Sequence, residues 1–109
     1  MLESILGSLN CERVMIYLIA RNEGYAREIA RFFEVGLGSV QKQLEKLENG
    51  GVIYSKRVGR TRVYAFDPRY PFLQELKALI EKALTFYPEE MTELLLMNRR
   101  RPRRSGKPL

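Results

Sequence analysis

The side chains best suited to chemistry in this chain are amides and cations gathered into one stretch. Ser39, Gln41, Lys42, Gln43 and Lys46 share a segment, and Lys56, Arg57, Arg60 and Arg62 crowd a glycine turn just downstream. A glutamine amide donates and accepts at once, matching the paired groups on the major-groove edge of adenine, while lysine donates to guanine or to phosphate. A serine near a helix N-terminus adds a phosphate contact beside backbone N–H groups. Such groups hold and read a polyanion; they do not break bonds. The chain has no histidine, so the commonest general base is missing. No acid pair or phosphate-cradling glycine loop stands out, and no enzyme activity is expected.

The same inventory limits metals, cofactors and compartment. With no histidine and one cysteine, Cys11, a subunit lacks the N/S ligand set that a soft metal needs, so neither metal nor cofactor is expected. A single cysteine excludes an intramolecular disulfide and suits a cytoplasmic protein. No apolar run approaches the roughly 20 residues of a membrane span. The first residues, Leu2-Glu3-Ser4-Ile5-Leu6, are acidic and amphipathic rather than signal-like.

The net charge is +6, and its location matters more than its size. Of 19 basic residues, six (Arg99, Arg100, Arg101, Arg103, Arg104 and Lys107) lie in 99–107 without an acid, and the other 13 balance the 13 acidic residues. The folded body is therefore neutral overall, with a local cationic patch at Lys56 to Arg62 and a basic tail over 99–109. Patch and tail together resemble a nucleic-acid footprint. The tail arginines Arg99, Arg100, Arg101, Arg103 and Arg104 are candidate phosphate or minor-groove contacts, although a solvated terminus has the same composition.

The elements that must position these groups follow from periodicity. Leu2, Ile5, Leu6 and Leu9 fall at helical spacing, and Asn10 is an expected N-cap for a second helix with Val14, Met15, Leu18 and Ile19 inward, stopped by Gly24. Ala26, Ile29, Ala30 and Phe33 mark a third helix. Val40, Leu44 and Leu47 give the segment 37–49 one thin apolar stripe, leaving Ser39, Gln41, Lys42 and Lys46 free. Val52-Ile53-Tyr54 and Val63-Tyr64-Ala65-Phe66 flank a turn at Val58-Gly59-Arg60, a hairpin signal. Phe72 to Leu84 carries a wide apolar arc, and Pro88 with Glu89 and Glu90 opens a last helix expected to end near Asn98.

Helices, turn, helix and hairpin in this order resemble the winged helix-turn-helix of transcription regulators, closest to the ArsR-like group, from about Leu9 to Leu84. The matching residues are Val14 to Leu18, Arg27-Glu28-Ile29-Ala30 in the support helix, Ser39 to Leu47 in the recognition helix, Gly51-Val52-Ile53 entering the wing, and Gly59-Arg60 at its tip. Val63-Tyr64 match its return strand. The resemblance implies a mainly α fold with a small β-hairpin and a C-terminal dimerisation helix. Its implied divisions are a DNA-binding domain over 1–70, C-terminal helices over 71–98 and the tail over 99–109. It puts Ser39, Gln41, Lys42 and Lys46 against double-stranded DNA, Gln43 near the phosphates, and Arg57, Arg60 and Arg62 on the backbone or the minor groove. The chain departs from the family at Gly36 and Gly38, where capping residues are usual, and in lacking the cysteine and histidine clusters through which many relatives sense metals.

The implied function is a sequence-specific regulator, a repressor by preference, reading the major groove with helix 37–49 and touching the backbone with the wing over 52–66. A homodimer is expected through Leu2, Ile5, Leu6, Phe72, Leu76, Leu79 and Ile80. It would set two recognition helices about 34 Å apart, one turn of B-DNA. The segment 88–98 either extends that interface or docks a protein partner. The alternatives are a winged-helix interaction module, such as an adaptor or antitoxin-like subunit, and an RNA-binding protein.

Overall fold

A computed structural model of the chain describes residues 1–104, with side chains through Leu96. The elements run α1 (Glu3–Leu6), α2 (Leu9–Arg21), α3 (Ala26–Phe33), α4 (Leu37–Asn49), β1 (Ile53–Val58), β2 (Thr61–Phe66), α5 (Leu73–Leu84) and α6 (Glu89–Arg104). The result is the mainly α fold with one antiparallel hairpin that the patterning predicts. The last helix continues past Asn98 to Arg104, longer than its apolar pattern suggests.

Everything is built on α2, which touches α1, α3, α4, α5, α6 and β2. Cys11, Val14, Met15, Ile16, Tyr17, Leu18 and Ala20 are all buried, while Ile19 is only half-buried. A helix covered from several sides is apolar nearly all round, so Ile16 and Tyr17 join the core along with the expected stripe. Ile29 and Ala30 of α3, Val40, Leu44 and Leu47 of α4, Ile53 of β1, Ile80 and Ala83 of α5 and Leu95 of α6 complete it. Burial raises the Cys11 thiol pKa, and at 1% exposure the sulfur is an inert packing group rather than a switch.

The caps of α2 differ from expectation. Ser8, not Asn10, is the N-cap: its hydroxyl accepts from the Cys11 N–H at 3.0 Å, while the Asn10 amide oxygen accepts from Arg13. The helix ends at Asn22, which turns left-handed at φ 72° and donates its N–H to Leu18 O. Asparagine tolerates that conformation, so glycine is not needed there. The Glu12 carboxylate, 1% exposed, accepts from the Leu2 N–H at 2.7 Å and from the Tyr87 hydroxyl. It thereby ties α1 and the α5–α6 connection to α2.

Gly24, freed from capping, pairs with the hairpin instead. Its N–H donates to Tyr64 O at 3.0 Å and its carbonyl accepts from the Tyr64 N–H at 2.8 Å, so the α2–α3 loop lies beside β2 as a one-residue third strand. The hairpin pairs Ile53 with Phe66 through to Val58 with Thr61, closing on Gly59-Arg60. Gly59 has φ 65°, the positive value a two-residue hairpin turn requires at its first position.

A side chain at position 24 would have no room. A Cβ there would stand 2.7 Å from Tyr17 Cε1. The Tyr17 ring, 1% exposed, is held edge-on to Phe32 at 5.8 Å and under the Arg21 guanidinium at 4.8 Å. Gly24→Ala should therefore cost about 1–3 kcal/mol as overpacking. The circular-dichroism melting temperature should fall by roughly 4–8 °C per kcal/mol; an unchanged melt would mean the ring is free to move aside.

Candidate nucleic-acid interface

The Gly24–Tyr64 pairing brings the start of α3 against the hairpin, and α4 closes the third side. Between them lies a groove of about 540 Å³. Arg27 and Arg31 come from α3, Gln41 from the first turns of α4, and Arg60, Arg62 and Tyr64 from the hairpin. Tyr64 and Arg62 reach it together because residues two apart on a strand share a face. No ion pair engages any of these four arginines among the described residues. The one carboxylate on the groove, Glu28, is turned back to accept from the Tyr25 N–H at 3.3 Å. Burial raises the pKa of the Tyr64 hydroxyl, which keeps it protonated and able to donate.

On α4 the buried stripe of Val40, Leu44 and Leu47 is the expected one, and Ser39, Gln41 and Lys42 are exposed opposite it. The helix starts on Gly36, with no side chain capping its first N–H groups, as the departure at that position predicts. Two of the expected contacts are set differently. Gln43 is half-buried, and its Oε1 is out of solvent without a hydrogen-bond partner among the described residues. It stands three residues after Val40 and four before Leu47, beside the buried arc. Lys46 is exposed, but its Nζ donates to Leu6 O at 3.2 Å. It satisfies an orphan carbonyl at the end of α1 and is absent from the groove.

The hairpin is anchored to α4 through a polar chain. The Ser55 hydroxyl donates to Glu48 Oε2 at 2.7 Å and accepts from Arg62 Nη1 at 3.0 Å. Arg57 and Arg62 stand directly opposite each other across the strands, and Arg60 is exposed at the tip. The arginines missed from sequence are Arg27 and Arg31. Their outward position on α3 is legible in its periodicity, but their neighbours depend on the Gly24–Tyr64 contact between distant segments. The side chains of Arg99, Arg100, Arg101, Arg103 and Arg104 lie outside the described residues.

The expected dimer face is partly consumed inside the subunit. Ile80 is fully buried, and Leu2, Leu6 and Leu76 are half-buried against the core, because α1 and α5 cover α2. Ile5 at 68%, Phe72 at 62% and Leu79 at 37% remain on the surface, joined by Phe86 at 66%. Among the described residues no helix is long and apolar enough to cross a membrane, and no three His, Cys, Asp or Glu side chains group as metal ligands.

No family model and no curated protein matches the chain. Solved structures do. A double mutant of Lactococcus lactis ZitR aligns with TM-score 0.55 and 19% identity, over 98% of this chain and 81% of that one. The same double mutant in its apo form gives 0.54 and 18%, over 91% and 83%. A single mutant gives 0.54 and 19%, over 92% and 75%. ZitR is a winged-helix regulator, and likeness at this identity shows a shared fold: the hairpin is the wing and α3–α4 the helix-turn-helix.

If the Glu48–Ser55–Arg62 chain sets the pose of the wing, Ser55→Ala should loosen the wing without unfolding the core. Amide exchange in β1 and β2 should quicken by roughly three- to tenfold, the loss of one net hydrogen bond, with the melting temperature nearly constant. Unaltered exchange would mean the chain carries no load.

Proposed function

We propose that this protein is a DNA-binding transcription regulator of the ArsR-like kind that acts as a dimer and represses by covering its site. The observation that carries the reading is the groove bounded by α3, α4 and the wing. Four arginines without acidic partners converge there beside an exposed, hydrogen-bonding helix face. Gln41 and Lys42 read bases, Ser39 and the uncapped start of α4 take a phosphate, and Arg27, Arg31, Arg57, Arg60 and Arg62 follow the backbone. Exposed Ile5, Phe72, Leu79 and Phe86 supply the two-fold interface. Exposed Leu94 and Leu96 on α6 favour one second reading, an interaction module that grips a protein partner. A protein that forms such a complex but fails to shift DNA would support it. The cytoplasm is the compartment that a DNA-bound regulator requires.

Two measurements test the reading. In a salt titration of binding to a selected genomic fragment, log K should fall with log salt by about 0.9 per phosphate neutralised. Deleting 99–109 should flatten the slope and spare sequence preference; lost preference with an intact slope would reverse the roles. Separately, Gln41→Ala should erode discrimination between sites by about 1–3 kcal/mol, whereas Arg27→Ala and Arg31→Ala should weaken all sites alike. Equal, uniform losses from all three would remove α4 from base reading.

A further inference from the structure

The end of α2, the base of the wing and the first turns of α5 border a second, open cavity of about 280 Å³, which shares no lining residue with the arginine groove. Tyr54 and its cross-strand partner Ala65 face it, whereas Arg62 and Tyr64 serve the groove, so the two faces of the hairpin serve two cavities. Leu18, Phe66 and Leu73 form apolar walls, and Asn22, Tyr54 and Lys77 bring an amide, a phenol and an ammonium group to the same space. Among the described residues none of these three polar side chains has a hydrogen-bond or ion-pair partner. Lys77 is half-buried and leaves Glu81 unpaired one turn along α5, although that spacing suits an ion pair. Asn22 and Tyr54 are exposed and Lys77 is half-buried, so three solvent-reaching donors, one of them cationic, stand together at the mouth of an apolar hollow, an arrangement that offers a single anionic group three partners.

We propose that this cavity binds a small amphipathic carboxylate, a single ring or short hydrocarbon chain bearing one CO₂⁻. A carboxylate accepts from Lys77 Nζ, the Tyr54 hydroxyl and the Asn22 amide together, since its two oxygens offer about four lone-pair sites. Its hydrocarbon part covers Leu18, Phe66 and Leu73, which a hydrated inorganic anion would not use. The volume lies just under the roughly 300–1,000 Å³ of drug-sized sites, which suits one ring or a short chain. The occupant touches α2, the wing and α5 at once and so stiffens the base of the wing against α5. This site stands independently of DNA binding.

The test is a nitrogen-15 NMR titration of the full chain with benzoate and hexanoate, and with benzamide and hexanamide as neutral matches. The acids should shift the amides of Tyr54, Phe66, Leu73 and Lys77 saturably, and the neutral amides should bind about tenfold more weakly or worse, the loss of a charge-assisted hydrogen bond. Lys77→Gln should abolish the acid preference while leaving a native spectrum, and Tyr54→Phe should weaken acid binding several-fold. The proposal is overturned by no saturable shift at millimolar acid, by equal binding of acid and amide, or by preference surviving in K77Q. Shifts confined to Arg27, Arg31 and Arg60 would equally overturn it, because the acids would then be acting as simple anions in the arginine groove.

Discussion

The structure depends on two backbone hydrogen bonds between Gly24 and Tyr64, formed directly against the buried Tyr17 ring. They join the loop before α3 to the return strand of the wing, across forty residues of sequence. Because the ring leaves no room for a Cβ, only glycine allows the loop to lie this close. The position of α3 relative to the wing follows from that approach, and with it the convergence of Arg27 and Arg31 on Arg60 and Arg62. A two-stranded hairpin alone is marginal in water; the added pairing and the Glu48–Ser55–Arg62 chain give it a fixed seat on the helical body.

A second set of polar contacts holds the outer helices. The buried Glu12 carboxylate gathers the Leu2 N–H and the Tyr87 hydroxyl. Arg21 donates to Leu95 O at 2.7 Å and to the Tyr17 hydroxyl at 2.7 Å, while stacking over the Tyr17 and Phe32 rings. Both polar residues project from α2, and both reach across more than seventy residues. Such groups are costly to bury unless satisfied, so they select the one packing of α1 and α6 that satisfies them. The Arg21–Tyr17 stack also braces the ring on which Gly24 rests.

What was legible beforehand was whatever repeats locally. The stripe of Val40, Leu44 and Leu47, the hairpin signal and the apolar arc of α5 all survive, because helical and strand periods report one buried face. Gln43 is a polar residue whose spacing from Val40 and Leu47 places it beside the buried arc, where it is half-buried. Lys46 and Ile80 have partners that their own helices do not announce. Exposure on a lone helix says nothing of a neighbour, and only the folded chain brings Leu6 to the lysine and α2 to the isoleucine. Gly24 looked like a helix stop because glycine commonly is one, while Asn22 filled that role and left the glycine for close approach. The groove was the least legible feature, since it belongs to three elements and to none of their sequences.

The opposed arginines of the wing, Arg57 and Arg62, have a consequence for how this element responds to ions. Like charges set across a strand pair repel, and here the Ser55–Glu48 chain that holds Arg62 offsets that repulsion. Added salt screens that repulsion over about 8–10 Å at ordinary ionic strength, and the free hairpin becomes firmer. The proposed complex behaves in the opposite sense, because salt competes for the same phosphates. In the proposed complex, one pair of side chains would therefore carry two opposite responses to salt, a small relief of repulsion in the free wing and a larger loss of phosphate contact in the bound one.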